Sequence, residues 1–195
     1  MHYPNGKPFV KKEETKQVNI KASLSAANRG ISLENDINIS NDFYRENNLC
    51  LITKRPTPIN VVKVDYSRGA KIVNAYFEKQ STTDYNGVYK SRYIDFEAKS
   101  TKNKTSFPLS NISLHQIKHL KQVLFHGGIA FFIIEFASHN KVFLLDATYV
   151  IYAYENGNRK SIRYEDICRN GNEIKRGYLP RLDYLPIVKE KYKII

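Results

Sequence analysis

The sequence has no tryptophan, one methionine and only two cysteines. Cys50 and Cys168 stand far apart, without Cys-x-x-Cys spacing. That argues against a disulfide framework and a cysteine-built zinc site, and it suits a reducing cytoplasm. Long apolar runs are also missing. The most apolar stretch, IAFFII from Ile129, is the length of a strand and too short for a membrane span, so no integral membrane role is expected. The opening MHYPNGKPFVKKEETKQ lacks the apolar core of a signal peptide. Acidic residues are scarce: 19 Asp and Glu face 31 Lys and Arg, giving a net charge of +12 and a pI near 9.6. A field of one sign on a chain this size points to a polyanionic partner, nucleic acid or an anionic membrane surface.

The acid shortage is local as well as global. No Asp or Glu occurs from Ala98 to Ile134, while Lys99, Lys102, Lys104, Lys118 and Lys121 all fall there. Residues 1–27 are polar and basic and read as a mobile arm, with a domain over 28–195. Asn28 to Asn47 reads as the first helix, with Leu33, Ile37 and Tyr44 at helical spacing and Ser32 as its N-cap. Strand 49–54 follows, then KRPTP, whose prolines keep the chain extended. INVVKVDY (59–66) and AKIVNAYF (70–77) read as the arms of a hairpin, inserted at about 55–80. A second helix over Asn111–Phe125 ends at Gly127-Gly128, and two near-continuous apolar strands, 129–136 and 141–147, suit the centre of a sheet. Residues 146–154 fit either strand or helix. Ser161–Cys168 reads as a short helix, and YLPRLDYLP as irregular. The order of elements predicts an α/β domain with a mixed central sheet flanked by helices.

The chemistry gathers in TTDYNGVYKSRYIDFEAK (82–99). With period two, Tyr93, Asp95, Glu97 and Lys99 share one face of a strand and Ile94, Phe96 and Ala98 the other. The second set is a core face. Plain ion pairing of Glu97 with Lys99 would explain the first set. Asp84 adds to it: if the chain turns at Lys90-Ser91, Asp84 falls opposite Glu97, and two carboxylates about 5 Å apart want a shared cation. Asn86-Gly87 is the stronger tight-turn dipeptide, and a turn there would separate the acids. The later turn is preferred, with Asn86-Gly87 as a bulge or wide loop. Glu34 is a helix acid that either approaches the metal or simply favours the helix N-terminus. Asp95 either supports Glu97 or pairs with a cation. His115 and His119 have ligand spacing but no accompanying Glu, so they read as surface or phosphate-facing groups.

Asp-x12-Glu-x-Lys resembles the nuclease motif of the restriction-endonuclease-like superfamily, in which two acids hold Mg²⁺ or Mn²⁺ and the lysine assists the nucleophile or the transition state. The longer run TTDYNGVYKSRYIDFEAK, TKNKTSFPL and HQIKHLKQV resembles the RecU family, as do YPNGK, NRGISLEND, KRPTP and GYLPRLDYL in the same order. The resemblance spans essentially the whole chain. It implies a restriction-endonuclease-like fold with a protruding hairpin stalk, and a homodimer that cuts four-way (Holliday) junction DNA with one site per subunit. It also implies metal ligation at Thr82, Asp84, Glu97 and Gln116, with Lys99 stabilising the transition state. From sequence alone Gln116 is an ordinary exposed helix residue. Lys54, Arg55, Lys63, Arg68, Lys71, Lys102 and Lys104 become candidate DNA contacts, and a RecA-type recombinase a candidate partner. Two other functions fit the charge: a nuclease for ordinary duplex or flap DNA, and a non-catalytic branched-DNA-binding module that recruits or modulates the recombinase. The intact Asp84, Glu97 and Lys99 argue against the last.

Overall fold

The computed structural model describes the backbone over residues 20–77 and 82–195, and side chains from residue 32 onward. Six strands form the central sheet in the order β1 (Leu51–Lys54), β4 (Tyr85–Tyr89), β5 (Arg92–Thr101), β7 (Ile129–Phe136), β8 (Lys141–Asp146), β10 (Asn172–Ile174). Only β5 and β7 run parallel; every other neighbouring pair is antiparallel. The parallel pair needs a long crossover. It is supplied by the short strand β6 (Ser106–Pro108), a 3-10 turn and α2 (Leu114–Phe125). The expected mixed sheet with flanking helices is thus what the chain builds.

Strand β7 shows why the sheet is central. All eight of its residues are buried. Ile129, Phe131 and Ile133 face one core, with Leu33, Ile37 and Tyr44 of α1 (Ile20–Glu46) and Leu185 and Val188 of α5 (Leu185–Lys191). Ala130, Phe132, Ile134 and Phe136 face the other, with Ile117, Leu120 and Val123 of α2 and Val150 and Ile151 of α3 (Ala147–Asn156). Period-two alternation on a strand covered on both sides gives an unbroken apolar run. Residues 146–154, open in the sequence, become helix because Asp146 caps it, accepting from the Thr148 amide at 2.8 Å.

Several boundaries differ from the sequence expectation. The first helix begins at Ile20, so residues 20–27 of the expected arm are helical and Ser32 lies inside the helix instead of capping it. The rest of that arm, residues 1–19, lies outside the described residues. Ser161–Cys168 divides into strand β9 (Ser161–Arg163), paired with β6, and α4 (Tyr164–Asn170). The C-terminal segment contains α5, which tolerates Pro186 in its first turn because the amide there has no helical partner anyway. Arg176 fastens that segment by bridging Asp36 of α1 and Glu135 of β7.

The β4–β5 hairpin turns at Lys90-Ser91, as expected, with φ of 45° and 62°. Two consecutive left-handed residues make a turn of the type usually built from Asn-Gly. Asn86-Gly87 is neither bulge nor loop: Gly87 pairs regularly with Ile52 on one side and Ile94 on the other. A Cβ on Gly87 would lie 2.0 Å from the Leu51 carbonyl oxygen. The glycine is there for close backbone approach, which a sequence reads as a turn. β2 (Ile59–Asp65) and β3 (Lys71–Phe77) pair only with each other and are exposed almost throughout. The hairpin therefore protrudes from the body of the domain, as the resemblance implies. Replacing Lys90-Ser91 with Asn-Gly should relieve left-handed strain of roughly 1 kcal/mol. It should raise the melting temperature by about 2–4 °C in a thermal scan.

Candidate active site

Asp84 lies one residue before β4, where the β4–β5 register places it opposite Glu97. Its backbone N–H donates to Glu97 Oε2 at 3.1 Å, and its own Oδ2 accepts from the Ala98 amide at 3.2 Å. Glu97 is fully buried in the middle of the sheet. Its Oε1 takes the Lys99 ammonium at 2.7 Å and the Gln116 amide Nε2 at 2.5 Å. Burial first, and the neighbouring Asp84 carboxylate second, push the Glu97 carboxyl up to about 8, against the pull of Lys99. Low dielectric and like charge both disfavour ionisation, and a bound divalent cation reverses both.

Gln116 is therefore no exposed helix residue. It is buried on the first turn of α2, where its Oε1 accepts from the backbone N–H of Ser113 at 3.0 Å and from its hydroxyl at 2.9 Å. The helix start thus fixes the amide with its N–H toward Glu97. Thr82 is half-buried two residues before Asp84. The donor set fits a hard cation such as Mg²⁺, which takes one or two carboxylates and keeps water in its remaining positions. Among the described residues no three His, Cys, Asp or Glu side chains form a metal cluster, so neutral oxygens and water would complete the shell.

A second polar cluster adjoins the first. Asp95, two residues from Glu97 on the same strand face, is fully buried. It accepts from Arg55 Nη2 at 2.5 Å, the Tyr93 hydroxyl at 2.8 Å, the Thr83 hydroxyl, and His119 Nε2 at 3.0 Å. Burial pushes its carboxyl up, but the hydrogen bonds from His119, Thr83 and Tyr93 outweigh that and hold it below the ordinary value. Tyr93 lies on the polar strand face that the sequence shows, though without an assigned role, whereas nothing local signals Thr83.

The candidate DNA contacts divide. Arg55 is spent on Asp95 and Tyr93, and Lys54 pairs with Glu34 at 2.5 Å. Glu34 itself is half-buried, and its backbone carbonyl accepts from the Tyr85 hydroxyl. Lys63, Arg68 and Lys71 are exposed on the protruding hairpin, and Lys102 and Lys104 on the connection after β5. His119 is turned onto Asp95, and His115 contacts Ser113, so neither is simply a surface group.

Glu97 and Lys99 on a central strand of a mixed sheet, with Asp84 brought opposite by the neighbouring strand and an exposed basic hairpin nearby, form the layout expected of a nuclease domain. The chain belongs to the family described as Recombination protein U, which matches residues 28–190. It is 50% identical over 198 residues to a Holliday junction resolvase RecU from Geobacillus sp. (strain WCH70), covering 97% of this chain and 96% of that one. It is 48% identical over 197 residues to the Holliday junction resolvase RecU of Bacillus thuringiensis (strain Al Hakam), covering 98% of each. Among solved structures, the Archaeoglobus fulgidus Holliday junction resolvase Hjc superposes with a TM-score of 0.45 at 11% identity, over 73% of this chain and 94% of that one.

The raised Glu97 carboxyl carries a stability consequence. Its folded value of about 8 lies above the ordinary 4.5, so the native state holds this proton more tightly than the unfolded chain does. The associated stability is complete below pH 4.5 and is lost as pH rises through 8. In chelator, the melting temperature should fall across that window for the native sequence. Glu97→Gln should flatten the fall and melt higher at pH 8. Added Mg²⁺ should raise the melting temperature of the native sequence and leave Glu97→Gln unmoved.

Proposed function

We propose that this chain is a structure-specific endonuclease that resolves four-way DNA junctions by metal-dependent hydrolysis of paired phosphodiesters in recombination and repair. The carrying observation is the convergence of Asp84, Glu97 and Lys99, where β5 holds two of the groups and the register brings the third. Membership of a family whose curated relatives are named Holliday junction resolvases supplies the substrate class.

Asp84 and Glu97 would hold Mg²⁺ or Mn²⁺, with Thr82 and Gln116 at its margin. When bound, the cation activates water and offsets charge on the scissile phosphate. The protein's own part is positional and electrostatic. Lys99 offers an ammonium beside Glu97, where it orients the attacking water or meets the charge that develops on the phosphate. Gln116 fixes the Glu97 carboxylate in one orientation, and the sheet behind it excludes bulk water. The net charge of +12 draws the DNA, and the exposed Lys63, Arg68 and Lys71 supply phosphate contacts along the hairpin. Cutting two opposed strands requires two such sites, and a two-fold homodimer matches the symmetry of the junction. A RecA-type recombinase is the protein partner this reading implies, and the cytoplasm its place of action.

The test is cleavage of a labelled four-way junction beside a linear duplex of the same sequence, in Mg²⁺ and in Mn²⁺. Paired nicks confined to the junction are expected. Glu97→Ala should abolish them, and Lys99→Ala should slow them by about 10²–10³-fold, the usual loss for one charge-stabilising group. Equal cutting of the duplex would make the chain a general nuclease. Tight junction binding without cutting would make it a binding module.

A further inference from the structure

We propose that Asp95 is a positioning residue that registers the seating of the protruding hairpin on the catalytic acids. The proposal rests on the junction-resolving reading above and adds the route by which DNA at the hairpin reaches the site.

Both ends of the hairpin insertion meet at this one carboxylate. Arg55 opens the connection from β1 toward β2, and its guanidinium binds Asp95 at 2.5 Å. Thr83 follows the hairpin in sequence, and its hydroxyl binds the other oxygen of Asp95. The same two residues frame Asp84. Thr83 precedes it, and the Arg55 backbone N–H donates to the Asp84 carbonyl at 2.8 Å. On its other side, the Asp84 backbone N–H binds Glu97 at 3.1 Å. Asp95 in turn sits two residues from Glu97, about 7 Å along the same strand face. A displacement of the hairpin root therefore acts on Asp84 through Arg55 and Thr83, and Asp95 is what holds both in place.

The arrangement is poorly suited to a purely stabilising role. A buried ion pair gains little over an apolar replacement of the same shape, whereas it fixes geometry where removal of one partner is costly. Arg55 also keeps its Nε buried without a protein hydrogen-bond partner, so this N–H is available to an incoming acceptor. The guanidinium, one-fifth exposed, has an incentive to shift when DNA brings an acceptor to the hairpin root. His119 at 3.0 Å and Tyr93 at 2.8 Å bind Oδ2, the same oxygen that Arg55 takes, from α2 and from β5 itself. The carboxylate is thus fixed to the body of the domain, while Arg55 and Thr83 attach to the hairpin.

The experiment is a double-mutant cycle on the full chain, combining Asp95→Asn with a shortened hairpin in which residues 62–74 are replaced by Asn-Gly. Junction affinity is measured without divalent metal, and the single-turnover cleavage rate at saturating junction. Asp95→Asn should bind the junction within about twofold of the native sequence and cut at least tenfold more slowly. Shortening the hairpin should slow saturated cutting in the native background but add little further loss beside Asp95→Asn. Independent, multiplicative losses would overturn the coupling, and a native rate in Asp95→Asn would overturn the positioning role. Arg55→Lys keeps the charge balance while losing the planar fork, and it carries the same cycle if Asp95→Asn does not fold. Titration of the free protein with Mn²⁺ separates this proposal from the junction-resolving reading. Affinity should fall severalfold in Asp95→Asn and in Arg55→Lys, whatever DNA the native protein cuts. Unchanged Mn²⁺ affinity in both would overturn the proposal even for a working resolvase. A native protein that cuts no junction, with the Mn²⁺ loss intact, would overturn the resolvase reading alone.

Discussion

The β4–β5 register is the constraint on which the site depends. Side chains alternate with period two, so a slip of one residue would turn Glu97 and Lys99 onto the α1 side of the sheet and carry Ile94 and Phe96 into the polar cleft. Three features hold the register. The two-residue turn at Lys90-Ser91 counts the residues between the acids. Gly87 lets β1 approach β4 closely enough that any side chain there would meet the Leu51 carbonyl. Tyr85, Phe96 and Phe131 stack in series across β4, β5 and β7, with centroids 4.9 and 4.7 Å apart. The Tyr85 hydroxyl then reaches α1, donating to the Glu34 carbonyl and Asn38. The helix layer and the strands that carry the candidate site are therefore aligned by one column of rings.

That alignment allows the fold to bury charge where it would otherwise be excluded. Asp95 and Glu97 are both fully buried on the central strand, yet they sit in opposite electrostatic conditions. Four donors surround Asp95 and keep it ionised. Glu97 has Lys99 and Gln116 but also Asp84, and its proton is held more tightly than usual. Two carboxylates two residues apart are thus differentiated by surroundings alone. One is a satisfied structural anion, and the other is a group that gains from a cation. Such separation of paired acids is the pattern by which a site assigns different tasks to the same side-chain chemistry.

The sequence carries the strand-level logic and little of what lies across space. Alternation in YIDFEAK gives the polar and core faces, and the count from Asp84 to Glu97 gives their meeting. The apolar runs at 129–136 and 141–147 give the centre of the sheet. Asn86-Gly87 misleads because a turn and a close backbone approach ask for the same residue. Gln116 reads as surface because its burial is set by where α2 packs on β5, a tertiary contact invisible in a helix pattern. Lys54 and Arg55 read as phosphate contacts because local sequence shows a charge without its partner. Their partners, Glu34 and Asp95, lie 20 and 40 residues away in sequence. The start of α1 is missed because Ser32 reads locally as a cap, whereas the helix runs through it from Ile20.

The division of charge explains how one small domain can both attract DNA and discriminate within it. Exposed cations on the hairpin and after β5 create a field that any duplex would feel, since phosphate contacts carry no information about structure. The acids that would do the cutting are withdrawn from that field, Glu97 buried beside α2, Asp84 half-buried, and both held by hydrogen bonds. Attraction and chemistry therefore occupy different places, and a nonspecific encounter at the surface leaves the acids where they are. Shape selectivity then has to come from something that joins the two places. In this fold the covalent path between them runs through the roots of the hairpin, and those roots are tied to the strand that carries Glu97. A protruding element with few anchors and a buried site with many are a workable pair only if the connection between them is stiff, and a buried carboxylate that accepts from four side chains provides that stiffness.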